Sequence, residues 1–112
     1  QQEEEIGFEQ LPQRVPNVED VLNGVSQYYN VPIQDMLGSS RLRQIMIPRQ
    51  VAMYIAYKRL RMSLSQVGEL FSGRDHSTVL HAVRKVEKQI RTHPYLIREM
   101  NAIQQEVGLL QK

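Results

Sequence analysis

The sequence predicts an all-α protein, a compact bundle of about six helices, and three observations carry that expectation. Apolar residues recur three and four apart along most of the chain. No segment alternates apolar and polar residues with period two, as a half-buried strand would. Proline, glycine and side chains suited to capping punctuate the apolar stretches at helix-length intervals. At 112 residues, 41% hydrophobic and 23% charged, the chain has the size of one small domain with a modest core, too small for large multi-step catalytic machinery.

Residues 1–16, QQEEEIGFEQLPQRVP, combine glutamate, glutamine and two prolines with few apolar residues in register. Such a segment buries too little surface to offset the entropy of ordering, so it is expected to be an acidic linker, leaving 17–112 as the domain. Asn17 is placed to cap a first helix in which Val18, Val21, Leu22, Val25 and Tyr28 or Tyr29 repeat at helical spacing. Glu19 and Asp20 suit the positive end of its dipole, and Asn30 closes it. Pro32 and Gly38 bracket a short second helix, and Ser39 to Gln44, polar and basic, is expected to be a loop. Pro48 is expected to open the third helix, with Val51, Ala52, Ile55, Ala56 and Leu60 inward and Lys58, Arg59 and Arg61 at its cation-favouring end.

Ser63-Leu64-Ser65-Gln66 has the spacing of a capping box, in which hydroxyl and amide side chains each bond the other's backbone N–H. A short helix with Leu64, Val67, Leu70 and Phe71 inward follows, and Ser72-Gly73-Arg74 breaks it. Asp75 then caps a long helix with Val79, Leu80, Val83, Val86 and Ile90 toward the core. Thr92-His93-Pro94 separates it from the last helix, where Leu96 or Ile97, Met100, Ile103, Val107 and Leu110 repeat about every 3.5 residues.

Charge is unevenly spread. The fourteen Lys and Arg against twelve Asp and Glu give a net +2, yet residues 1–16 alone carry −3. Between Arg41 and Arg91 stand eleven cations and three acids, Glu69, Asp75 and Glu87, a local excess of +8. A basic field of this kind implies a polyanionic partner. Cysteine is absent, so neither a disulfide nor a cysteine-based metal site is expected, and a reducing cytoplasm suits the chain. There is no signal-peptide pattern and no apolar run of the roughly 18 residues that a membrane span needs. The lack of an initiator Met leads us to expect a fragment or a processed chain.

The two helices around Ser72-Gly73-Arg74 match a helix-turn-helix, whose second helix reads the DNA major groove. Asp75, His76 and Ser77 open that helix with chemically suitable types. A carboxylate accepts from cytosine N4, an imidazole donates to purine acceptors or thymine O4, and a hydroxyl does either. Thr78 is placed to bond phosphate. Taken by itself, the segment fits equally well with a cap followed by solvated first-turn residues, and the basic context favours recognition. Arg41 and Arg43 have the spacing for one side chain to enter a minor groove while the other grips phosphate. Arg49 and Gln50, expected on a first helical turn, meet free N–H groups that favour an anion. His81, Arg84, Lys85 and Lys88 form a face that is solvated by default and nearest phosphate at its start.

The string Gly73-Arg74-Asp75-His76-Ser77-Thr78-Val79-Leu80-His81-Ala82, preceded by Pro48-Arg49-Gln50, resembles the C-terminal DNA-binding domain (domain IV) of the bacterial chromosomal replication initiator family, DnaA. The resemblance covers Val18 to the C-terminus. It implies a helical bundle related to the Trp-repressor helix-turn-helix, and binding to double-stranded DnaA-box DNA at the replication origin, with a role at promoters beside it. Asp75, His76 and Ser77 are then expected to contact bases in the major groove, and Arg41 in the minor groove. Arg43, Arg49, Gln50, Ser65, Thr78, His81 and Lys85 are expected to hold the backbone.

No cofactor is expected in this chain, since ATP belongs to a separate AAA+ module in that family. Other initiator protomers are expected to be met through modules outside the chain. Association with acidic phospholipids ranks as secondary, because the acidic linker would repel them. The family usually has basic residues where Ser39, Ser40 and Ile47 stand, and often threonine where Ser77 stands. Each lost phosphate contact should flatten the salt dependence by about 0.9 in slope, and serine lacks the methyl that meets a thymine methyl.

Catalysis is not expected. His76 and His81 lie five apart, off a common face and unlike an i, i+4 metal pair. No HExxH, P-loop or GxSxG occurs, so neither a metal site nor a small-molecule substrate is implied. An interaction domain built on the last helix's apolar stripe is the other alternative, but a domain this small needs that stripe for its own core.

Overall fold

A computed structural model of the chain describes residues 16–109. Six helices follow one another: α1 (Val18–Tyr29), α2 (Ile33–Leu37), α3 (Arg43–Lys58), α4 (Leu64–Leu70), α5 (His76–Thr92) and α6 (Pro94–Val107). Among the described residues there is no strand. Residues 1–15 of the expected acidic linker lie outside the described residues, as does Leu110.

The expected caps determine several helix ends. Asn17 accepts from Asp20 N–H and the Asp20 carboxylate accepts from Asn17 N–H, so Asp20 completes a capping box besides suiting the dipole. Asn30 ends α1 in the left-handed region at φ 58°, a conformation that asparagine tolerates better than most residues. The Ser63–Gln66 box starts α4, with reciprocal bonds of 2.9 and 3.0 Å. Pro94 takes the first turn of α6, where a missing N–H costs nothing.

The third helix corrects the sequence reading. It begins at Arg43, so the expected loop is shorter and Pro48 lies inside the helix. Only one intrahelical donor is lost at Pro48, and the ring is buried with Ile45, Val51 and Ala52. Tertiary packing therefore outweighs the local penalty of an interior proline, about 3 kcal/mol. Arg49 and Gln50 consequently sit in the second turn of α3, away from its free N–H groups.

α3 runs through the middle of the bundle and packs on α1, α2, α4 and α5. Val21, Val25, Met36, Ile55, Val67, Phe71, Val79, Val83 and Ile103 are sealed from solvent, each such side chain contributing about 1.5–3 kcal/mol by burial. Leu96, Met100 and Ile103 of α6 close the core, so its stripe serves the domain's own interior. Arg59 donates to the Gln104 side chain and to the Leu109 carbonyl, tying the end of α3 to α6. Lys58 pairs with Glu87 at 2.7 Å, linking α3 to α5. Among the described residues, no helix is long and apolar enough to cross a membrane.

Candidate nucleic-acid interface

The turn between α4 and α5 is built by close backbone approach. A Cβ added at Gly68 would lie 2.0 Å from the Arg74 carbonyl oxygen, so glycine is required where the turn folds back on α4. Arg74 N–H donates to Gly68 O at 2.9 Å. Ser72 and Gly73 both have positive φ, 67° and 72°. Ser72 is held in that unfavourable region by its hydroxyl, which donates to the Leu37 carbonyl. Composition marks the turn, but the requirement at Gly68 escaped the sequence reading; its one signal is a glycine inside an otherwise helical pattern.

α5 emerges from this turn with its N-terminal end exposed. Asp75 is the N-cap, its carboxylate accepting from Thr78 N–H at 2.9 Å. That backbone hydrogen bond, ahead of smaller contributions from the Thr78 hydroxyl, Ser77 N–H and the neighbouring His76, holds the Asp75 carboxyl below the usual aspartate range. It is therefore ionised at neutral pH and remains an acceptor. His76, Ser77 and Thr78 are exposed. At 100° per residue, Ser77, His81, Arg84, Lys85 and Lys88 share the side of α5 opposite buried Val79, Val83 and Val86. All five are exposed, giving a continuous basic and polar ridge.

Beside this ridge lies an open concavity of about 360 Å³ between α3 and α5. Arg41, Arg49, Gln50, Thr78 and His81, all site residues expected from the sequence, line it together with Arg74 and Ser39. Met46, Met53 and Ala82 form its apolar floor, and no carboxylate lines it. Residues 41–50 and 74–82 are far apart in the chain; the packing of α3 on α5 brings them to one surface. Asp75, His76 and Ser77 stand outside the concavity on the adjoining first turn. Lys85 lies one helical turn beyond His81, and Ser65 is exposed on the first turn of α4. Arg43, expected in a loop, is instead the exposed first residue of α3.

The sequence reading expects Arg49 to contact phosphate from a first helical turn; in the fold it lines the concavity from the second turn of α3 and is 5% exposed. Its guanidinium donates to Met36 O at 2.7 Å, Ser40 O at 2.7 Å and Asp35 O at 3.1 Å. Arg49 is thus a strut that gathers the carbonyls at the end of α2. Burial, and then the adjacent Arg74 charge, lower its pKa without making it neutral, since arginine starts so high. Arg74, read from the sequence only as part of the turn, does matching work. It donates to Phe71 O at 2.6 Å and Gly38 O at 2.8 Å. Arg49 holds the α2–α3 connection to α3, while Arg74 and Ser72 fasten it, and with it Arg41, to the turn that precedes α5. No periodicity or charge pattern distinguishes such carbonyl-binding arginines from solvent-facing ones.

The bacterial dnaA protein helix-turn-helix family matches residues 18–86, from the start of α1 to well along α5. The chromosomal replication initiator protein DnaA of Bartonella quintana (strain Toulouse) is 42% identical over 91 residues, covering 81% of this chain and 18% of that protein. The corresponding protein of Cereibacter sphaeroides (strain ATCC 17029 / ATH 2.4.9) is 40% identical over 90 residues, 80% of this chain and 20% of that one. The chain therefore spans about a fifth of the length of these relatives. A solved structure of replication initiator DnaA bound to AMPPCP and single-stranded DNA matches with a TM-score of 0.68 at 29% identity. That match covers 83% of this chain and 28% of the other. With the family match running through both helices of the turn and its glycine-dependent corner, the chain belongs to the bacterial DnaA helix-turn-helix family.

Proposed function

We propose that this chain is the duplex-DNA recognition domain of a replication initiator and binds DnaA-box sequences at an origin, with promoter sites as further targets. The observation that carries the proposal is the exposed first turn of α5 standing beside a carboxylate-free basic concavity on the same surface. His76 and Ser77, with ionised Asp75, read base edges in the major groove. Arg41, at the other rim of the concavity, enters the adjacent minor groove. Gln50, Thr78 and His81 hold the strand that passes between the two grooves, while Arg43, Ser65 and Lys85 neutralise or bond flanking phosphates. Arg49 supports this surface from beneath.

The chain contributes recognition and no catalysis. ATP binding and contacts with other initiator protomers belong to modules elsewhere in the parent protein, which works in the cytoplasm. Acidic phospholipids are a secondary partner of the same basic ridge.

Fluorescence anisotropy of the purified chain with a DnaA-box duplex and a scrambled duplex of equal composition, each at low and near-physiological salt, tests the proposal. A preference for the box of about 10³ or more is expected, the range of specific binders. Equal, steeply salt-dependent binding to both duplexes would leave a non-specific basic surface and overturn box recognition.

A further inference from the structure

Leu42 breaks three local rules at once. It is the most exposed large hydrophobic side chain among the described residues, at 59%. It occupies the N-cap of α3 without any side-chain cap bond, a position where Ser, Thr, Asp or Asn would satisfy a free N–H. It stands between exposed Arg41 and Arg43, in a first turn that holds no acid, although the positive end of a helix favours anions. Its backbone is nonetheless held firmly. Leu42 N–H donates to Ser40 Oγ at 3.2 Å, and its carbonyl accepts from Ile45 N–H at 2.9 Å and Met46 N–H at 2.8 Å. Local conflicts clustered at a well-held position are the mark of a functional site.

We infer that Leu42 is a specificity-determining residue, an apolar side chain laid on the minor-groove floor beside Arg41 that rejects G·C pairs there. The inference rests on the DNA-binding reading above. The chemistry follows from the groove. A·T pairs present only acceptors on the minor-groove floor, whereas guanine adds its N2 amino donor. An isobutyl group pressed against that donor leaves it desolvated and unpaired, which is costly. Arg43 on the flanking phosphate keeps that wall close, and a backbone already in place spares the entropy of ordering on contact.

Anisotropy titrations with box duplexes in which each A·T pair is replaced in turn by G·C, or by inosine·C, test this. Inosine lacks the N2 amino group, so its pair looks like A·T in the minor groove and like G·C in the major groove. The wild-type chain should lose about tenfold in affinity at one or two positions with G·C, within the usual range for a single wrong pair, and regain it with inosine·C. Leu42→Ser should shrink the G·C penalty to about twofold while keeping the preference for box over scrambled DNA. It should also raise the melting temperature, because serine supplies the missing cap.

An inosine·C penalty as large as that of G·C would overturn the inference. So would a full G·C penalty persisting in Leu42→Ser, which would assign the discrimination to Arg41 alone. Both outcomes leave box recognition standing. A wild-type chain that binds box and scrambled duplexes alike would remove that recognition and this inference together.

Discussion

Asp75 caps α5 and, in the proposed complex, reads a base edge; pH and mutation separate the two. Its folded pKa is depressed, chiefly by the hydrogen bond from Thr78 N–H, so the stability it lends α5 is fully present above the ordinary aspartate pKa. That stability is lost as pH falls through the lower folded value. Melting curves of the wild type and Asp75→Asn should therefore differ at neutral pH and converge in strong acid. A difference that persists at low pH would show that the carboxylate charge is not what stabilises the cap. His76 has no comparable structural bond, so His76→Ala should leave the melting temperature within a degree or two while costing about 1–3 kcal/mol of box affinity. Unchanged box affinity, or equal loss on scrambled DNA, would remove His76 from the base readers.

The connection between α2 and α3 depends on two buried or half-buried arginines that reach carbonyls in place of carboxylates. Substituting Arg49→Met removes three charge-assisted donors, from the carbonyls of Met36 and Ser40 and from that of Asp35, which keeps Gly38 N–H. We expect a loss of about 2–4 kcal/mol in urea unfolding, with weaker DNA binding as a consequence. Lys85→Ala, on the exposed ridge, should leave stability unchanged and lower the salt slope of binding by about one. The two variants thus separate support from contact. If Arg49→Met melts like the wild type and only its salt slope falls, Arg49 is a phosphate ligand after all. Gly68→Ala forces a methyl onto the Arg74 carbonyl and should cost about 3 kcal/mol, the upper part of the overpacking range. A neutral result, read by the same unfolding curve, would mean that the turn can open without loss.

Across the whole molecule, charge divides along the chain. Residues 1–16 carry −3 and the remainder +5, so a chain beginning at Asn17 should keep its melting transition and bind any duplex faster at low salt. Loss of the transition would make the acidic segment part of the domain. The six helices were legible beforehand because periodicity and caps are local signals. The Asn17, Ser63 and Asp75 caps and the α6 stripe all reappear. The start of α3 was not, because Pro48 reads as a first-turn residue until the burial of Ile45 and Pro48 outweighs its missing donor.

The sequence by itself determined the all-helical class, the helix-turn-helix and the cap that opens its second helix, since each depends on neighbours within about four positions. It also marked the basic stretch from Arg41 to Arg91, a matter of counting charge. Only the tertiary structure decided which of those cations face solvent and which are struts. The bonds of Arg49 span 9 to 14 residues and that of Arg74 to Gly38 spans 36. Long-range backbone carbonyls leave no trace in composition or periodicity, so a guanidinium bound to them and one left for DNA look the same until the chain is folded.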